Sequence, residues 1–111
     1  MIDVEMKEIL EKCKLSDEEL AEFNKSIEKI DHKQDHARAY RTMSNPLRRK
    51  ILEFINCEVR SFQQIKEELE LEEDQLTYQL SMLEQLNFIM NTETGWKATP
   101  RGIGFQFNTR L

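Results

Sequence analysis

Apolar residues recur along this chain at three- and four-residue steps, interrupted by short polar clusters. That is the pattern of successive amphipathic helices. Ile2, Met6, Ile9, Leu10 and Cys13 share one face of a helix expected over 3–14. Ser16-Asp17-Glu18-Glu19 reads as a capping box, in which the Ser16 hydroxyl accepts from the Glu19 amide and the Glu19 carboxylate returns to Ser16. The helix it opens carries a narrow stripe, Leu20, Phe23, Ile27 and Ile30. A narrow stripe on a charged helix suits packing against another helix, so these four residues are the expected dimer interface. Packing on their own domain is the alternative.

A third helix is expected over 33–43. It ends at Ser44-Asn45-Pro46, because the residue before proline is pushed out of helical geometry. Pro46 then opens the next helix, capped by Asn45, with Leu47, Ile51, Leu52, Phe54 and Ile55 inward. Glu58-Val59-Arg60 is expected as a short strand. Ser61-Phe62-Gln63-Gln64 is a second capping box, opening a helix with Phe62, Ile65 and Leu69 on one face. A tight turn over 70–73 follows, around Leu71. The next helix, over 73–86, turns Leu76, Leu80, Leu83 and Leu86 inward and stops at Asn87. Residues 88–92 and 96–99 have strand composition, and Glu93-Thr94-Gly95 between them has turn chemistry, which predicts a β-hairpin. Thr99-Pro100 looks like the cap and first residue of a terminal helix.

The 111 residues suit one small domain, and the charge divides it. Residues 1–36 hold eleven carboxylates against six lysines, whereas 37–111 are neutral, with ten acids and ten bases, seven of them arginine. We therefore expect an acidic helical segment over 1–34 that contributes to dimerisation, and the main domain over 35–111. No apolar run approaches the roughly 18 residues of a membrane helix. Met1-Ile2-Asp3-Val4-Glu5 lacks the basic-then-apolar pattern of a signal peptide, so a cytoplasmic protein is expected. Cys13 and Cys57 lie far apart, and buried thiols in a reducing compartment are the simplest reading.

The expected order is helix, helix, short strand, helix, tight turn, helix, hairpin. That order is mainly α, a winged helix-turn-helix with a small β-hairpin wing and two additional N-terminal helices. In such a unit the helix after the turn can enter the DNA major groove. The motifs agree. Asn45-Pro46-Leu47-Arg48-Arg49-Lys50-Ile51-Leu52 resembles the "P-L-R-x-x-I-L" opening of the arsenic-repressor (ArsR) family. Leu76-Thr77-Tyr78-Gln79-Leu80-Ser81-Met82-Leu83 is similar to its recognition helix, "V-S-x-H-L-x-x-L". Phe88-Ile89, then Gly95-Trp96-Lys97-Ala98-Thr99-Pro100-Arg101-Gly102, resembles the wing and following "L-T-x-x-G" of many archaeal members. The resemblance covers about residues 37–104, and the order and spacing of the pieces carry it. It implies a dimeric transcriptional regulator that binds double-stranded DNA.

By position in that resemblance, Gln75, Thr77, Tyr78, Gln79 and Ser81 are expected to face base edges, and Arg48, Arg49, Lys50, Lys97 and Arg101 to hold phosphates. A solvated basic face is the plain alternative for Arg48–Lys50. The recognition helix has no Lys or Arg, and Glu70, Glu72, Glu73 and Asp74 lead into it. These carboxylates favour the helix dipole but repel phosphates. They motivate the alternative of a winged-helix protein–protein interaction module that does not bind DNA. His32 and His36, four apart beside Asp31 and Asp35, have zinc-ligand spacing without an evident third ligand. The metal-sensing members carry paired cysteines on the helix before the turn, and residues 62–69 have none, so no metal and no cofactor is expected. Trp96 is expected to close the core. No phosphate-loop, nucleophile-elbow or Cys/His catalytic pattern occurs, so an enzyme is not expected.

Overall fold

A computed structural model describes residues 14–29 and 31–109, without the side chains of residues 32, 33, 36 and 106–109. The helix expected over 3–14 and the residues Cys13 and Ile30 therefore lie outside the described residues.

Six helices and one hairpin follow in the order α1 (Asp17–Glu28), α2 (His32–Met43), α3 (Pro46–Ile55), α4 (Phe62–Leu69), α5 (Glu73–Gln85), β1 (Ile89–Thr92), β2 (Gly95–Ala98) and α6 (Pro100–Thr109). The chain is thus mainly helical with a small antiparallel two-stranded sheet. Local chemistry accounts for most of the boundaries. Ser16 and Ser61 both form complete capping boxes, with Glu19 and Gln64 respectively. Asn45 accepts from the amides of Leu47 and Arg48, and Pro46 begins α3. The left-handed turn ending α4 falls on Glu70 (φ 53°), and the one after α5 on Asn87 (φ 65°).

The hairpin is tighter than expected. Thr92 pairs with Gly95, leaving only Glu93 and Thr94 in the loop. Glu58-Val59-Arg60 contracts from a strand to one bridge, in which the Arg60 amide donates to Trp96 O at 3.0 Å and the Trp96 amide to Arg60 O at 2.7 Å. Gly95 permits this approach. It sits at φ 136°, and a Cβ there would meet Arg60 O at 2.8 Å.

The core gathers one face from every element after α1. Met43 comes from α2, Ile51, Leu52 and Ile55 from α3, and Ile65 from α4. Leu76, Leu80 and Leu83 come from α5, Phe88, Ile89 and Ala98 from the hairpin region, and Ile103 from α6. Leu47, Phe54, Phe62, Leu69, Leu71, Leu86, Cys57 and Trp96 pack half-buried around it, so the inward sets read from periodicity occupy the core or its margin.

Helix α1 carries the stripe expected at a dimer interface. Phe23, in the middle of the dimer stripe, is buried within the single chain (8% exposed), and it borders a cleft shared with Ile89 and Met90 of β1. Leu20 and Ile27 are half-buried. The centre of the stripe is therefore covered within the single chain. Helix α2 spans residues 34 and 35, on either side of the boundary expected there.

Helix α6 approaches the hairpin at Gly102, where a Cβ would collide with the carbonyl oxygen of Phe88 and crowd Leu52. Gly102→Ala is expected to destabilise the fold by about 1–3 kcal/mol through overpacking, measured by urea denaturation. An unchanged midpoint would mean that α6 can move away freely.

Candidate nucleic-acid interface

The candidate surface is built by the α4–turn–α5 unit. The Glu70 amide bonds to the carbonyls of Lys66 and Glu67, and the Leu71 amide to Lys66 O, closing the turn in three residues with Leu71 against the core. Helix α5 then starts at Glu72 without a side-chain cap. Glu73 and Asp74 in its first turn compensate the dipole instead.

Helical periodicity divides α5 sharply. Leu76, Gln79, Leu80 and Leu83 are buried, while Gln75, Thr77, Tyr78 and Ser81 are exposed, Tyr78 to 57%. Four of the five residues expected to face bases are therefore outward. The fifth, Gln79, is a correction. It lies three residues after Leu76 on the buried face and accepts from Arg48 Nε at 2.7 Å. Its place between Leu76 and Leu80–Leu83 in the heptad pattern was the available signal. Thr77 is exposed, but its hydroxyl donates back to Glu73 O at 2.9 Å.

The expected phosphate contacts divide as well. Arg49 and Lys50 are exposed on α3. Arg48 is half-buried and joins three helices: beyond Gln79, its Nη1 donates to Thr42 O at 3.3 Å, and its guanidinium lies 5.9 Å from the Tyr78 ring centroid. Lys97 and Arg101 are corrected from free surface cations to internal ties. The Lys97 ammonium, with its side chain 11% exposed, donates to Lys14 O at 2.8 Å and to Glu19 Oε1 at 3.0 Å. Arg101 forks onto both oxygens of Asp35 at 3.0 and 2.7 Å, donates to Leu86 O at 2.9 Å, and covers the Phe88 ring. Each cation meets a carboxylate from α1 or α2, helices distant in sequence, and no local pattern announces such a pair.

Two residues missed in the sequence stand out. Arg38 and Arg41, exposed on α2, line a cleft of about 300 Å³ with Arg48, Thr42 and, from the far end of α5, Met82 and Gln85. Their three-residue spacing, opposite the inward Ala39 and Met43, was the legible signal. On the other flank of α5, a larger cleft of about 600 Å³ runs between Thr77, Ser81 and the hairpin, and it is lined by Glu84 and Glu93. The two flanks thus carry opposite charge. His32 and His36 lie on α2, and their side chains are outside the described ones.

No family model matches the chain, and no solved structure matches it. An uncharacterized protein of Archaeoglobus fulgidus is similar to it, 29% identical over 76 residues that make up 68% of this chain and 87% of that protein. No described helix is long and apolar enough to cross a membrane.

The two ion pairs make separate predictions. Removing Arg101 strands Asp35 and the Leu86 carbonyl in a mostly covered site, since the paired side chains are only 18% and 17% exposed. Arg101→Ala is expected to lower stability by roughly 2–3 kcal/mol, and equal midpoints in chemical denaturation would reassign the pair to the solvated surface.

At the other pair, the Ser16 amide holds the Glu19 carboxyl below its ordinary value; burial pushes the other way, and Lys97 adds to the lowering. A lowered folded value stabilises the fold above the unfolded carboxylate range, near about 4.3, and this is lost as pH falls through the folded value. The thermal midpoint of the wild type should therefore fall more steeply between pH 5 and pH 3, as round settings near about 4.3, than that of Glu19→Gln. Parallel curves would remove Glu19 from the acid response.

Proposed function

We propose that the chain is a winged helix-turn-helix regulator of the arsenic-repressor type that binds double-stranded DNA as a homodimer. The observation that carries this reading is the division of α5. One face is sealed into the core, and the opposite face presents Gln75, Tyr78 and Ser81 to solvent, with Arg49 and Lys50 exposed on α3. The short turn before α5, the hairpin after it and the Arg60–Trp96 bridge support the winged arrangement.

In this reading the N-terminal half of α5 enters the major groove. Gln75 can bond an adenine edge in two places, Ser81 can reach a base edge or phosphate, and Tyr78 can reach phosphate. Arg49 and Lys50 hold phosphates. Lys97 and Arg101 act indirectly, by fixing the hairpin and α6. Glu72, Glu73 and Asp74 weaken attraction to any duplex, so base contacts carry a larger share of the discrimination. The homodimer rests on the family resemblance. Leu20, Ile27 and the exposed Tyr40 are surface left for a second copy.

A second reading draws on the exposed carboxylates at Glu70, Glu72, Glu73 and Asp74, which suit a basic protein surface. Selection from randomised duplexes followed by anisotropy titration separates the two. Arg49 and Lys50 of both subunits would neutralise about four phosphates in a dimer, a slope of log affinity against log salt of about −4. Gln75→Ala should relax preference at one base pair by roughly 1–3 kcal/mol. Neutralising Glu72, Glu73 and Asp74 together should strengthen binding to all sequences. If neither the wild type nor the neutralised variant is retained on any duplex at low salt, the protein-partner reading replaces this one.

A further inference from the structure

We propose that the cleft between α2 and the far end of α5 is a binding site for a dianionic phosphate group, held by Arg38, Arg41 and Arg48. The inference stands apart from the DNA reading, because it concerns a built pocket and not the outer face of α5.

Three arginines line one cleft of about 300 Å³, and no acidic residue lines it with them. Like charges gathered this way repel, and surface arginines ordinarily relieve the repulsion by pairing. Here Arg38 and Arg41 have no ion-pair partner among the described residues. Asp35, one turn before Arg38 on α2, is committed to Arg101 by its two-oxygen fork. The charge of the cleft is therefore left open by the fold itself.

The ends of α2 and α5 supply carbonyl dipoles near the cleft, each equivalent to about −0.5 charge. Against three arginines they leave a surplus of about two positive charges. A phosphate monoester carries about −1.5 to −2 at neutral pH, which matches that surplus, whereas a single phosphodiester carries half as much.

A buried hydroxyl points the same way. Thr42 lines the cleft and is 5% exposed, and its side chain has no hydrogen-bond partner among the described residues. Buried polar groups are almost always bonded, so a free hydroxyl in a cationic cleft suits an acceptor from outside the chain. Arg48 is already oriented. Its Nε and Nη1 are held by Gln79 and Thr42 O, and its Nη2 has no bond among the described residues. Gln85 adds an amide at the rim, and Met82 and Leu86 form an apolar wall on which the organic part of a small phosphate ester can rest.

The test is a titration with inorganic phosphate above pH 7, followed by amide chemical shifts and by melting at constant ionic strength in chloride. Saturable shifts confined to α2, Thr42 and the end of α5, with a raised melting midpoint, are expected. Arg41→Ala and Arg38→Ala should each weaken binding at least about tenfold, Arg41→Lys less, and Lys25→Ala, exposed on α1 and outside the cleft, should leave it unchanged. Each variant is compared with itself with and without phosphate, so altered stability does not obscure the result. A duplex arm identifies the source. If duplex retention is indifferent to phosphate, the group belongs to a free monoester; if phosphate competes with duplex and Arg41→Ala loses both, the cleft takes the phosphodiester of a strand and the dianionic assignment is overturned. Absence of duplex binding leaves the phosphate titration readable. Non-saturable shifts in the wild type, or equal binding by Arg41→Ala, would overturn it.

Discussion

The structure hangs on the burial of one face of α5 against α3. Leu76, Leu80 and Leu83 meet Ile51, Leu52 and Ile55 in a core from which water is excluded, and Arg48 and Gln79 add a directed hydrogen bond at its edge. Apolar burial is strong but not directional, so a greasy face alone allows a helix to rotate by part of a turn. The 2.7 Å bond from Arg48 Nε to Gln79 sets the rotation, because a turned α5 would leave a buried amide unpaired. Everything offered to solvent on α5 follows from that choice. Gln75, Tyr78 and Ser81 face outward because their neighbours are committed inward.

The N-terminal helices are held in another way. Beside the apolar contacts of Ala39 and Met43 of α2 with the core, two ion pairs tie them down, Glu19–Lys97 and Asp35–Arg101, each joining an acid of the first third to a cation near the hairpin. The acidic surplus of residues 1–36 thus has a structural use, since two of its carboxylates neutralise the two cations that frame β2. The consequence for the surface is asymmetric. Around the hairpin the basic groups are consumed and Glu84 and Glu93 remain, whereas on the α2 side Arg38 and Arg41 stay open. A polyanion approaching α5 meets repulsion on one flank and attraction on the other.

Much of the fold was legible because its signals are local. Capping boxes at Ser16 and Ser61, the Asn45-Pro46 start, the stop at Asn87 and the Gly95 turn all act within four residues, and the apolar steps of α3 and α5 mark which side is buried. The site was legible only in part. The outward positions of Gln75, Thr77, Tyr78 and Ser81 follow from the period, and by the same period Gln79 belongs with the leucines. Treating it as a base contact gave the motif more weight than the helical geometry.

The sequence by itself determined the order of the helices and the hairpin, most helix ends and the inward apolar sets, because backbone capping and apolar periodicity depend on near neighbours. Only the tertiary structure decided which charges are free. Lys97 finds Glu19 78 residues away, and Arg101 finds Asp35 66 residues away. It also decided that Phe23 is buried within the single chain, and that Arg38, Arg41 and Arg48 share one cleft. Long side chains reach partners that packing brings close, and no spacing along the chain encodes that proximity.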